Sequence, residues 1–155
     1  MVKLGQKVRD NLTGITGYCD HYADYMFSAR RIGIQLPLKK DGSAGEAWAC
    51  DETNVEILSE IPYLKVAPEP KQLHEFGQVV ADPITNYIGT VIGRTVYING
   101  CSRLLIQRKY AKNTDLKDAE WLEETRVIAV GKKVKKKPAV DNGGPQQSSR
   151  CSFNR

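Results

Sequence analysis

Histidine is nearly absent from this 155-residue chain, which holds only His21 and His74. Neither has neighbours that would complete a metal site or a catalytic pair. Four cysteines, Cys19, Cys50, Cys101 and Cys151, are too few for a disulfide scaffold and too widely spaced for a zinc motif. Reduced thiols and a cytosolic origin are therefore expected. No apolar run approaches the roughly 18 residues that span a bilayer, and Met1–Gln6 has no signal-peptide core. No phosphate-cradling loop, zincin motif or nucleophile elbow is present. The expectation is a protein that is not an enzyme, carries no metal or cofactor and does not enter a membrane.

What remains is 41% hydrophobic and 26% charged, a globular composition with a formal charge of +5. That charge is unevenly placed. Residues 131–155 hold seven basic side chains against Asp141 alone, whereas residues 1–130 hold 16 basic and 17 acidic ones. The body is nearly neutral, so any electrostatic attraction to nucleic acid belongs to the tail.

The chain also repeats itself. Leu4–Thr13 lies over Phe76–Thr85 at an offset of 72, and ten identities fall in the 32 positions from Leu4 to Gln35. Gly17 pairs with Gly89, Tyr25 with Tyr97, Arg31 with Arg103 and Gln35 with Gln107. The register returns at Glu52 and Glu124, while Trp48 and Trp121 need a one-residue slip. A tandem duplication follows, with residues 1–58 as the first unit and 75–130 as the second. Residues 59–74 form a proline-rich connector expected to pack along the body, and 131–155 a basic C-terminal arm.

Each copy reads as short strands broken by turn signals. Gly14 and Pro83 suit the first turn, and Asn99-Gly100 marks a hairpin in the second copy. Four or five strands in about 55 residues suit a small bent barrel, which also hides sheet edges. The expected fold is all-β, two tandem small SH3-like β-barrels followed by an extended basic tail. Val8, Leu12, Ile34, Val55 and Ile57 are expected in the first core, and Val80, Ile84, Ile106 and Val127 in the second. Cys101, just after its turn, is expected to be buried or half-buried.

The sites on offer are modest. Tyr18, His21, Tyr22 and Tyr25 put four rings within eight residues. They either fill the core alternately or form an aromatic contact face, for which Tyr18 and Tyr22 are the candidates. Cys19 and His21 would share one strand face. Asp10 and Asp82 recur at one repeat position, as a carboxylate dyad would, but an Asp capping its own turn is the commoner reason. In the arm, Lys132, Lys133, Lys135, Lys136 and Lys137 fall within six residues. They serve as a solvated tail, as phosphate contacts giving weak nonspecific nucleic-acid binding, or as a dock for an acidic protein surface. Cys151 near the chain end is either idle or an intersubunit thiol.

Leu4-Gly5-Gln6-Lys7-Val8-Arg9-Asp10 with Thr13-Gly14, and Tyr97-Ile98-Asn99-Gly100-Cys101 with Gln107, resemble small proteins of tailed bacteriophages. Copies in that family begin LGxxVRDxxTG and carry YxNGCxxYxxQP. The resemblance implies a fold and a phage origin but no activity, and it stops before the arm. The function expected from it is a non-catalytic virion accessory protein of the capsid, neck or tail. Its partners would be other phage structural proteins or copies of itself, in the virion or in host cytoplasm before assembly. The alternative is an intracellular phage protein that binds nucleic acid or a nucleotide and modulates or evades the host.

Overall fold

The computed structural model describes residues 1–43, 45–60, 62, 65–108 and 119–130. The chain is all-β in these residues, apart from one 3-10 turn over Glu52–Asn54. The first five strands are β1 (Lys7–Asp10), β2 (Thr16–Tyr25), β3 (Arg31–Gln35), β4 (Ala47–Asp51) and β5 (Val55–Ile57). The next five are β6 (Val79–Ala81), β7 (Ile88–Tyr97), β8 (Ser102–Arg108), β9 (Ala119–Glu123) and β10 (Ile128–Ala129). Strands β2 and β7, and likewise β4 and β9, begin and end at positions 72 residues apart.

All ten strands join in one antiparallel sheet. Within the first copy the order is β5-β1-β2-β3-β4, and within the second β10-β6-β7-β8-β9. The sheet does not close: among the described residues, β4, β5, β9 and β10 each pair on one side only. In place of two separate barrels, the copies are fused by direct pairing of β2 with β7. That register runs His21↔Tyr97, Tyr22↔Val96, Ala23↔Thr95, Asp24↔Arg94 and Tyr25↔Gly93. It is symmetric about the Ala23/Thr95 pair, whose members are themselves 72 residues apart. Even the flanking bonds match, since Met26 N–H donates to Ile92 O at 2.8 Å and Ile98 N–H to Asp20 O at 2.8 Å. The two copies are therefore related by a pseudo-twofold axis through the sheet.

Long strands that serve two partners on one side must bend, and both do so alike. A bulge interrupts β2 between Cys19 and His21 and β7 between Val91 and Gly93, again 72 residues apart. Gly17 and Gly89 sit on the tightly packed inner side of the bend. A Cβ at Gly17 would strike the Gln35 carbonyl oxygen and lie 2.7 Å from Ile34 Cγ2. One at Gly89 would strike the Gln107 carbonyl oxygen and lie 2.7 Å from Ile106 Cγ2. Neither glycine has a positive φ, so the requirement is close approach rather than backbone freedom.

The two cores follow the repeat. Val8, Cys19, Tyr22, Ile32 and Ile34 fill the first, and Val80, Val91, Leu104, Ile106 and Val127 the second. Val55 packs half-buried at the rim of the first. Three expected core residues are not there. Ile57 lies on the edge strand β5 and is exposed, and Leu12 and Ile84 are 77% and 73% exposed. Both of these stand at the tip of the β1–β2 or β6–β7 turn, where the preceding Asp has taken the inward position. Cys101 is also exposed, because the hairpin turn that precedes it carries it off the sheet. The connector is tied down by Ala67 N–H to Ile98 O (3.0 Å) and by Gln6 Nε2 to Glu60 O (2.9 Å).

The glycine argument is testable in both copies. Gly17→Ala and Gly89→Ala should each cost about 1–3 kcal/mol of overpacking, read from denaturant unfolding. Gly14→Ala, where a Cβ meets nothing within 4 Å but φ is +73°, separates conformational strain from collision.

Candidate functional site

The two turns that carry Asp10 and Asp82 are built identically. Asp10 Oδ1 accepts from Leu12 N–H at 3.0 Å and Oδ2 from Thr13 Oγ1 at 2.7 Å. Asp82 does the same with Ile84 N–H (3.1 Å) and Thr85 Oγ1 (2.6 Å). Gly14, with φ of +73°, and Asn86, with φ of +57°, close the turns at matching positions. The copies differ only in the last donor: Trp48 Nε1 reaches Asp10 Oδ2 at 3.0 Å, and Arg126 reaches Asp82 Oδ2 at 2.6 Å. Hydrogen bonds from Thr13 and the Leu12 amide hold the Asp10 carboxyl below its ordinary value, and those from Thr85 and Ile84 do so for Asp82. Each carboxylate is buried and occupied by its own turn. These are structural caps.

Behind the seam lies a buried polar network. Glu124, fully buried, accepts from Leu73 N–H (2.9 Å) and from Arg94 Nε (2.8 Å). Burial pushes its carboxyl up, but bonds from Ser102, Arg94 and Leu73 outweigh that and leave it lowered. Arg94 also donates to Pro70 O at 2.9 Å, which clamps the connector. Tyr22 hydroxyl bonds the Glu69 carboxylate, and the Arg30 guanidinium lies 4.2 Å from the Tyr22 ring centroid while forking onto Asp24. Tyr22 is thus turned inward and is not part of an exposed contact face.

The other side of the seam is open. The bulge at Asp20 reverses the alternation of β2, so Cys19 enters the core while His21 points outward, instead of the two sharing a face. Tyr18, half-buried on β2 opposite Lys7 and Gln35, looks out on this side too. Further along, His21, Tyr25, Tyr97 and Trp121 wall a cleft of about 180 Å³, with Ala23 and Thr95 in its floor on the pseudo-twofold axis. The His21 and Tyr97 rings lie 5.2 Å apart, and Tyr25 meets Trp121 edge-on at 6.3 Å. Gly33 and Gly93 give the rings room: a side chain at Gly33 would collide with the His21 ring, and one at Gly93 would come within 3.2 Å of Tyr25. Arg31 and Arg103 flank the cleft, bound to Asp51 (3.6 Å) and Glu123 (2.7 Å).

Sequence reasoning proposed the tyrosines of β2 but missed their partners Tyr97 and Trp121. The duplication contains the signal, because pairing β2 with its own repeat brings Tyr97 opposite His21. Lys132, Lys133, Lys135, Lys136, Lys137 and Cys151 lie outside the described residues. Cys19 and Cys50 are buried free thiols, pushed by burial up to about 12 and about 11. Among the described residues, no group of three or more His, Cys, Asp or Glu side chains is placed to hold a metal ion, and no helix is long and apolar enough to cross a membrane. No protein-family model, curated protein or solved structure matches the chain.

The caps set an acid limit. A carboxyl lowered in the native state contributes stability that is full above its ordinary value of 3.8 and is lost as pH falls through the native value. Thermal melts should therefore fall steeply only below about pH 4, and Asp10→Asn with Asp82→Asn should lower the neutral melting point while flattening that fall. The buried pair gives a second expectation: Arg94→Met should cost about 3–5 kcal/mol, because it strands the Glu124 charge.

Proposed function

We propose that the protein is a non-catalytic bacteriophage virion accessory component of the capsid, neck or tail. It docks through its sheet and basic arm onto other phage structural proteins or copies of itself. The observation that carries this reading is the contrast between the two sides of the seam. On the inner side, Glu124 is engaged in holding Arg94 and the connector, and away from the seam the buried Asp10 and Asp82 each hold their own turn. On the outer side, rings and small residues are presented on rigid strands, the composition of a protein-contact surface rather than a reaction centre. Each copy's strand order, with the last strand returning to the first, supports reading it as a small SH3-like barrel left open between its last two strands. The phage assignment rests on the motifs around Asp10, at a turn built alike in both copies, and around Asn99-Gly100, at a hairpin that the first copy replaces with Phe27-Ser28.

The second reading, binding of nucleic acid or a nucleotide by an intracellular protein, draws on the lysine run. It is weakened at the cleft, where Arg31 and Arg103 are already tied to carboxylates and rings alone remain to stack on bases. Mass spectrometry of purified particles decides between the two. Stoichiometric copies in the particle are expected, and presence only in infected-cell lysate would overturn the virion reading. With five lysines as its phosphate contacts, duplex DNA binding should show a log-affinity against log-salt slope no steeper than about −4.5. Binding that persists at about 200 mM salt would favour the second reading.

A further inference from the structure

We propose that the cleft on the pseudo-twofold axis takes an aromatic side chain, and that the ring it takes is Phe27 of a second copy of this chain. The proposal rests on the docking reading above and names one of its partners.

The pseudo-twofold gives the cleft a template. Trp121 pairs with Leu105, and 72 residues earlier Ala49 pairs with Gly33 in the same register. On one half of the cleft, therefore, the Trp121 indole stands edge-on to Tyr25 at 6.3 Å. On the other half Tyr97 is the mate of Tyr25, and the place of the indole falls to the methyl group of Ala49. The His21 ring makes up only part of the difference, since it lies against Gly33 and 5.2 Å from Tyr97. About 180 Å³ is left open, lined in part by Gly33, Ala49, Tyr97 and Trp121. An apolar cavity of about 150 Å³ is enough to hold benzene. The group that would complete the symmetry is a ring, and the walls offer it edge-to-face contact.

Charge selects a neutral occupant. At the rim Arg31 faces Asp51 at 3.6 Å, Arg103 is bonded to Glu123 at 2.7 Å and His21 to Asp20 at 2.8 Å. Each already faces an opposite group, so an entering ion would lose water without gaining a free partner.

The same chain exposes such a ring. Phe27 follows β2 in the uncharged turn Phe27-Ser28-Ala29 and is 80% exposed, and no other aromatic side chain among the described residues exceeds 38%. Its mate in the second copy is Asn99, a polar turn residue. Phe27 stands in solvent within its own chain, so the cleft it enters is a neighbour's. A buried phenyl removes about 150–250 Å² of surface from water. Even doubled by the cleft walls, this falls below the roughly 1,200 Å² of a stable complex. The contact is therefore weak in dilute solution and gains strength where many copies are held side by side.

Sedimentation velocity of the full chain from about 10 μM to 1 mM tests this, and the weight-average mass should rise with concentration. Phe27→Ala and Ala49→Trp should each weaken association at least about tenfold, the second by building the mate of Trp121 into the cleft. Both positions are exposed, so both variants should melt where the wild type does. Tyr97→Ala, which removes a wall instead of filling the space, should weaken association as well. An equimolar mixture of Phe27→Ala and Ala49→Trp holds one intact cleft and one intact ring, and it should associate more strongly than either variant alone. A chain that stays monomeric to about 1 mM, leaving the cleft to another protein's ring, would overturn the proposal. So would association indifferent to any one of the three substitutions, or a mixture no stronger than its components. Absence from purified particles would end the virion reading and leave this measurement intact, whereas a strictly monomeric chain would end this proposal and leave other phage proteins as partners.

Discussion

The pairing of β2 with β7 is the interaction on which the rest depends. Five residues of each strand meet in a register symmetric about Ala23 and Thr95, and this converts two short meanders into one ten-stranded sheet. A unit of about 55 residues buries too little surface to be comfortable alone. The seam supplies part of what the first lacks: Val96 of the second copy sits in the core of the first, and Ile98 packs against it. The seam also dictates the bends. A strand that pairs with β1 or β6 at one end and with its repeat at the other must turn between them, which explains the paired bulges and the paired glycines that the bend crowds.

Much of this was legible because a repeat leaves its own template in the sequence. The offset of 72 relates strand to strand, and Val8, Ile34, Val80 and Ile106 could be read as core from alternation alone. Two of the misreadings share a physical cause, in that an alternation rule says nothing about which polar side chain claims an inward position. At both β1–β2-type turns an aspartate does so, and Leu12 or Ile84 is left outside. A bulge is equally silent in composition, yet the one at Asp20 decides that His21 faces out. The one-residue slip between the tryptophans proved informative. Trp48 pairs with Ile34 and turns to Asp10, whereas Trp121 pairs with Leu105 and turns to the cleft.

The cleft itself was hardly legible, since its lining comes from five strands of two copies. Tyr25 and Tyr97 are equivalent by sequence and face each other across the axis only because the copies meet head to head. Had the copies been joined as independent units, the same residues would lie on separate surfaces. The network behind the seam shows the same dependence, because Arg94 reaches both Glu124 and the connector carbonyl of Pro70 from a position fixed by β7.

The seam is symmetric in geometry but not in chemistry. Tyr22 faces Val96 on one half, and Asp24 faces Arg94 on the other. Two first copies placed in this register would set Tyr22 against Asp24 twice, and two second copies Arg94 against Val96 twice. Either arrangement would lose the facing of opposite charges at Asp24 and Arg94, although Arg30 would still hold Asp24 and Glu124 would still hold Arg94. The halves thus meet as unlike partners in the geometry of a homodimer. Because each seam edge is filled by the linked copy, neither β2 nor β7 offers that edge to a second chain.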